Sequence, residues 1–247
     1  MNNDPTASFD RLTEIETTRP TLIEGLPGHG LVASIAVDQI TTQLGLAQYG
    51  NIVSDEFPQL ASFEDGRIRD LVRVYAGGNP TVMTLQGDVA LTPSASRALS
   101  LCVLEDLAPE FDRAVFLAGA PAETEAQIGE IQGIATTEAL ERELVAAGIE
   151  SAAGRGLVSG VTGSLVTACY HADVPAVVLM VKANPYLPDP TAAQSVIENA
   201  LEPLVHFDID TTELEEQADL IQTRLEEIAQ QYQRTVQERV PGQRAEP

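Results

Sequence analysis

Thr21-Leu22-Ile23 is a short, β-rich run that passes through Gly25-Leu26-Pro27-Gly28-His29-Gly30 into an apolar stretch, Leu31 to Leu46. Ile35, Val37 and Ile40 are among the apolar positions of that stretch, and Gly45 ends it. A buried strand that turns through glycines directly into a buried helix opens a β–α–β unit, and this constrains the fold more than any other feature. The alternation continues along the chain. Leu71 to Tyr75 and Thr81 to Leu85 read as strands around the turn Gly77-Gly78-Asn79-Pro80, and Ser94 to Leu107 reads as a helix entered through Thr92-Pro93. Arg113 to Leu117 is a strand closed by Gly119-Ala120-Pro121, and Thr137 to Ala147 a helix closed by Gly148. Gly156 to Ser159 is a short strand or turn, Thr162 to His171 a helix, Pro175 to Val181 a strand and Asp189 to Val205 a helix. Asp65-Gly66, inside Ser62 to Asp70, signals a two-residue hairpin. Strands alternating with helices predict an α/β fold: a mostly parallel sheet covered by helices on both faces, in three α/β/α layers.

The C-terminal stretch differs. Thr212 to Val240 contains neither Gly nor Pro, and Thr212 and Glu215 have capping-box spacing. Leu214, Ala218, Ile221, Leu225, Ile228 and Tyr232 follow one another in alternating steps of four and three, which is a heptad seam. Such a helix lies on its own domain or packs against another subunit. The expected organisation is an N-terminal extension over 1–18, an α/β domain over 19–207, a long helix over 208–240 and a disordered tail over 241–247. His206 to Asp210 serves as linker.

Apolar residues make up 44% of the 247, enough for a full core, but aromatics are 4% with no Trp, so Val, Leu, Ile and Ala must fill it. Asp and Glu number 37 against 14 Lys and Arg, a net charge of −23, and Lys182 is the only lysine. Such a surface repels phosphate backbones and anionic lipid, which argues against nucleic-acid and membrane partners. An acidic disordered segment would concentrate the charge. Here the acids are spread along the whole chain, as in salt-adapted proteins whose self-repulsion is screened in brine. Cys102 and Cys169 sit in apolar, helix-like stretches and read as small core residues of a reducing cytosol. Met1 to Asp10 is polar and acidic, unlike a signal peptide, and the longest apolar run, Val174 to Val181, is far short of the roughly 20 residues a membrane helix needs. The expected location is cytoplasmic.

Gly28-His29-Gly30-Leu31-Val32-Ala33 satisfies the dinucleotide pattern G-x-G-x-x-A in its usual strand-to-helix setting, with Asp55 downstream as a candidate ribose contact. The plainer reading is a tight strand-to-helix turn. His29 is either an acid–base group or a plain surface or packing histidine. Neither a phosphate-binding G-x-x-x-x-G-K-[ST] loop nor a G-x-S-x-G elbow is present, and Gly163-Ser164 carries no mark of an activated nucleophile. His29, His171 and His206 lack metal-ligand spacing. No catalytic set, metal or cofactor is therefore assigned. A second glycine cluster, with Gly154, Gly156, Gly160 and Gly163, and the loop Asn184 to Pro190 also follow strands. In a parallel sheet these bends gather at the carboxyl edge, where ligands bind. The candidate crevice residues are Gly25, Pro27, Gly28, His29 and Gly30, then Gly156, Gly160 and Gly163, then Tyr186 and Asp189.

The order of these motifs resembles a known family. Glu24-Gly25-Leu26-Pro27-Gly28-His29-Gly30-Leu31-Val32 resembles the opening E-G-x-P-G-x-G-x-V of PAC2-type proteasome assembly chaperones. Gly156 to Gly163 before an apolar helix is similar to that family's second glycine segment. Tyr186-Leu187-Pro188-Asp189-Pro190 with Ala192-Ala193 is similar to its Y-x-P-D-P-x-A-A signature. The three span residues 20–205 in the expected order, and the acidity is similar to that of haloarchaeal members. The resemblance implies a nucleoside-phosphorylase-like α/β/α fold without a catalytic set, homo-oligomerisation, and binding to 20S proteasome α-subunits as a non-enzymatic assembly factor. Some members dock with a hydrophobic–Tyr–X tail, whereas this sequence ends Arg244-Ala245-Glu246-Pro247. The rival reading is a nucleotide- or nucleoside-binding enzyme using the Gly28–Gly30 loop, and a third is a purely structural oligomer.

Overall fold

The computed structural model describes residues 6–14 and 19–224. In chain order the strands are β1 (Ala7–Arg11), β2 (Thr21–Gly25), β3 (Ala47–Ser54), β4 (Ser62–Glu64), β5 (Arg67–Arg69), β6 (Val72–Gly77), β7 (Val82–Gly87), β8 (Arg113–Pro121), β9 (Ile131–Ala135), β10 (Glu150–Ser151) and β11 (Ala176–Ala183). The helices are α1 (Val32–Gln43), α2 (Pro93–Cys102), α3 (Glu138–Ala146), α4 (Gly160–His171), α5 (Pro190–Val196) and α6 (Glu202–Val205). A further helix, α7, runs over 212–224. A π-helical turn, Val103–Leu107, extends α2, and another, Ile197–Leu201, joins α5 to α6.

Nine strands form one sheet in the order β1-β3-β6-β7-β2-β8-β11-β9-β10, while β4 and β5 stand apart as a hairpin. The four central strands β7, β2, β8 and β11 run parallel. The flanks bring antiparallel pairs: β1 with β3, β3 with β6, β6 with β7, and β11 with β9. The sheet is therefore mixed, parallel through its centre. For β6 and β7 the reason is local: Gly77, at the end of β6, and Gly78 after it both have positive φ, and a tight turn of that kind can join only antiparallel strands. The segment read as an N-terminal extension supplies the edge strand β1, and Gly156 to Ser159 forms no strand. Asp65 and Gly66, both at positive φ, turn β4 into β5 as their dipeptide predicts.

The central strands feed two cores. In β11, Val177, Leu179 and Val181 face one cluster with α1, α3 and α5, while Ala176 and Val178 face the other with α2 and α4. Burial on both faces is why these strands read as unbroken apolar runs rather than alternating ones. Cys102 and Cys169 are buried and unpaired in the second cluster. Burial pushes their thiols up to about 12 and about 11, so both remain protonated packing groups. At the start of α7, Leu214 is buried in the first cluster, and Ala218 and Ile221 are half-buried. Leu225, Ile228 and Tyr232 of the seam lie outside the described residues.

Candidate functional site

Parallel central strands place their following loops on one rim. From β2 the chain enters a single 3-10 turn, His29–Leu31, before α1. Gly30 (φ 62°) and Leu31 (φ 49°) are successive left-handed residues, and this pair swings the chain into the helix. For Leu31, which has a Cβ, that geometry costs roughly 1 kcal/mol, so packing around it must hold it. The holding contacts are close. A Cβ at Gly30 would lie 2.9 Å from the Ala183 side chain and 3.3 Å from that of Asp189. A Cβ at Gly119, in β8, would meet the His29 carbonyl oxygen at 2.3 Å. The first glycine bend is thus clamped between the ends of β8 and β11.

The proline-rich bend completes the clamp. Asp189 donates its main-chain N–H to the Gly30 carbonyl (2.8 Å), while its carboxylate accepts from the Asn184 N–H (2.7 Å) and caps α5 through the Ala192 N–H (3.0 Å). Asp189 is buried, and all of these bonds are internal, so its role is to join the two bends. Between them lies a groove of about 520 Å³ lined by Pro27, Gly28, His29 and Leu31 on one side and Tyr186 and Leu187 on the other. Tyr186 is 92% exposed. Apart from the titratable ring of His29, the lining carries no ionisable side chain but the phenol of Tyr186.

The second glycine cluster adjoins this rim without lining the groove. Gly163, in the first turn of α4, lies against the Val158 carbonyl, where a Cβ would come within 2.3 Å. Gly156 and Gly160 face open space. The link between that turn and the first bend is Glu24. It is fully buried at the end of β2 and accepts from the Leu26 N–H (2.8 Å) and the Thr162 hydroxyl (3.2 Å). Burial raises its carboxyl to about 7, against the lowering effect of the Leu26 and Thr162 bonds and the Leu117 main chain. Gly25 ends β2 so close to α1 that a Cβ there would meet Val37 at 2.5 Å.

The geometry bears on the dinucleotide pattern. The second glycine of such a motif lets a pyrophosphate approach the backbone. Here Gly30 is buried beneath Ala183, Asn184 and Asp189, so this chain's own atoms fill that approach. Asp55 follows β3, which is separated from β2 by β6 and β7, roughly 14 Å away at ordinary strand spacing. Among the described residues no group of His, Cys, Asp and Glu is arranged to hold a metal ion, and no helix is long and apolar enough to cross a membrane.

Sequence reasoning quoted Glu24 only as the opening of a family motif and Gly119 only as the end of a strand, and gave neither a place in the site. A glutamate directly after Leu22-Ile23 in a strand buried on both faces was the available signal for the first. Gly119 gave none, because its role depends on the His29 bend, distant in sequence.

Comparison with known proteins agrees with this architecture. An uncharacterized protein of Methanocaldococcus jannaschii is 28% identical over 225 residues, 91% of each chain. The crystal structure of Pyrococcus furiosus PbaA, described as an archaeal homolog of proteasome-assembly chaperone, superposes with a TM-score of 0.82 at 23% identity, covering 94% of this chain and 95% of that one. Pyrococcus furiosus PbaB, described as an archaeal proteasome activator, gives a TM-score of 0.83 at 17% identity, covering 91% and 99%. The PAC2 family model matches residues 22–229, which takes in the whole sheet centre, both clamped bends and the start of α7, and the chain belongs to the PAC2 family.

Proposed function

We propose that this protein is a non-enzymatic, cytoplasmic assembly chaperone that binds proteasome α-subunits through the rim at the carboxyl edge of its sheet. The observation that carries this reading is the groove between Pro27–Leu31 and Pro185–Pro188. A chain of net charge −23 leaves it free of carboxylates and guanidinium groups, and sets a tyrosine that is 92% exposed beside it. Apolar surface rimmed by polar surface is the mark of a protein contact. Membership of the PAC2 family and the likeness to PbaA and PbaB support a chaperone role. Of the residues named from sequence, Pro27, Gly28, His29 and Tyr186 would make the contact, and the buried Gly25, Gly30 and Asp189 would hold its shape. Self-association through the heptad seam of the C-terminal helix beyond the buried Leu214, at Ala218, Ile221, Leu225, Ile228 and Tyr232, belongs to the same proposal, as does salt adaptation. The test is affinity purification of the tagged chain at high salt. Recovery of proteasome α-subunits, reduced by Tyr186→Ser, is expected. Intact tagged protein that brings down no α-subunit would remove the proposal's basis.

A further inference from the structure

Two carboxyl side chains hold the ends of one groove wall. At the far end Asp189 ties Gly30 to the proline-rich bend. At the near end Glu24 accepts from the N–H of Leu26 (2.8 Å), the residue before Pro27 and Gly28. The Leu26 side chain lies against Gly87, where a Cβ would come within 2.6 Å of it, so Leu26 is fixed through both side chain and main chain. A Cβ at Gly28 would meet nothing within 4 Å. The wall between Leu26 and Gly30 therefore takes its shape from these two ends.

The near end carries an unbalanced group. Glu24 is fully buried on the face of β2 that holds Leu22 and Leu26, between Leu85 of β7 and Phe116 of β8. Its second bond is to the Thr162 hydroxyl in the first turn of α4. Charged and titratable side chains stand on the surrounding elements: His29 in the bend, Asp88 after β7, Arg113 on β8, Arg97 and Cys102 on α2, Arg155 before α4, and Cys169, Tyr170 and His171 on it. None of them contributes to the shift of the Glu24 carboxyl, which burial and three hydrogen bonds set. A buried carboxylate without a counter-ion is costly, and the structure around it yields or admits water. The α4 side has room to yield. Gly156 and Gly160 border open space, and Gly160 turns the chain into α4 at φ 69°.

We propose that Glu24 is a proton switch for the groove. Neutral, its carbonyl oxygen keeps the Leu26 bond and its hydroxyl pairs with that of Thr162, so the Pro27–Gly28 wall stands in place. Losing its proton to solvent leaves a charge between the bend and α4; the turn before α4 gives way to water, and the wall loses its near anchor. The second glycine segment, which does not line the groove, thus acts on it through Glu24. The effect on binding rests on the protein-contact reading of the groove; the coupling of Glu24 to the wall does not.

The experiment uses the full chain at high salt, with amide shifts of Leu26, Gly28 and Gly163 followed from pH 5.5 to 8.5. One titration with a midpoint near 7 is expected, kept by His29→Gln and absent from Glu24→Gln. Thr162→Val, which removes a donor to the carboxylate, should raise the midpoint, and it serves as the test if Glu24→Gln does not fold. No titration at Gly28, one that follows His29 instead of Glu24, or a midpoint unmoved by Thr162→Val overturns the switch. If only the neutral form binds, the α-subunit concentration for half-maximal capture should rise by up to about thirtyfold between pH 6 and 8.5, and Glu24→Gln should lose that rise. The same rise in both proteins, or none in either, refutes control of binding. Titration at Gly28 with no α-subunit captured at any pH would support the coupling and refute the α-subunit assignment.

Discussion

Glu24→Gln isolates the energetic consequence of burying a carboxyl at the junction of two bends. The side chain is inaccessible to solvent, and its pKa is raised from 4.5 to about 7 by burial. The raised value means that the folded state holds the proton more tightly than the unfolded chain does. The resulting stabilisation is complete below pH 4.5 and is lost as pH rises through 7. At about 1.4 kcal/mol per pH unit, the interval between 4.5 and 7 amounts to about 3 kcal/mol. Glutamine has the same shape, keeps an acceptor for the Leu26 N–H, offers its amide to Thr162 and does not ionise. Urea unfolding of both proteins in the same salt, at pH 5.5 and pH 8.5, cancels the titration of every other carboxyl in the difference. Of the total, about 2 kcal/mol falls inside that range, so the variant should gain that much on the wild type between the two pH values. At pH 5.5 the two should differ by no more than about 1 kcal/mol, the weight of one altered hydrogen bond. A difference that stays constant from pH 5.5 to 8.5, or moves in favour of the wild type, would refute the assignment of a neutral, buried Glu24.

Gly119→Ala should destabilise the fold by about 1–3 kcal/mol and displace the first glycine bend, because its methyl group meets the His29 carbonyl. Thermal unfolding reads the first effect and amide shifts at Gly28 and Gly30 the second; an unperturbed bend would contradict the clamp. Cys102 and Cys169, held protonated and buried, should resist iodoacetamide in the native state and react fully after denaturation, counted by mass spectrometry. If salt screening offsets the charge of −23, the unfolding midpoint should rise steeply between low and multimolar potassium chloride, and a flat profile would count against salt adaptation.

Much of the sheet's centre was legible because burial on both faces writes an unbroken apolar run: β2, β8 and β11 read directly as Leu22-Ile23, Ala114-Val115-Phe116 and Val177-Val178-Leu179. The Asp65-Gly66 hairpin was legible from turn chemistry alone. The flanks were not. Strand β3 interrupts its apolar residues with Gln48, Gly50 and Asn51: Gln48 and Asn51 stand beside Tyr75 and Arg73 of β6, and Gly50 leaves room for the Phe9 ring of β1, so the strand shows neither alternation nor a run. Strand β1, with Asp10 and Arg11 at an edge, looks like a polar leader until β3 pairs with it. At the site, the two bends could be placed on one rim from topology. That Asp189 and Gly30 bond to each other, and that Gly119 makes room for the His29 carbonyl, depends on contacts between residues far apart in sequence.

The groove and the charged surface give the molecule two opposite responses to brine. Raising ionic strength shortens the reach of every charge on the protein, so exposed pairs such as Arg19 with Asp112 lose their weight. The same change drives apolar surfaces together when the salt is excluded from them, so contacts along Pro27, Leu31, Tyr186 and Leu187 would tighten. A partner seated there would hold on more firmly in brine than in dilute buffer, the reverse of what a contact built on charge would do.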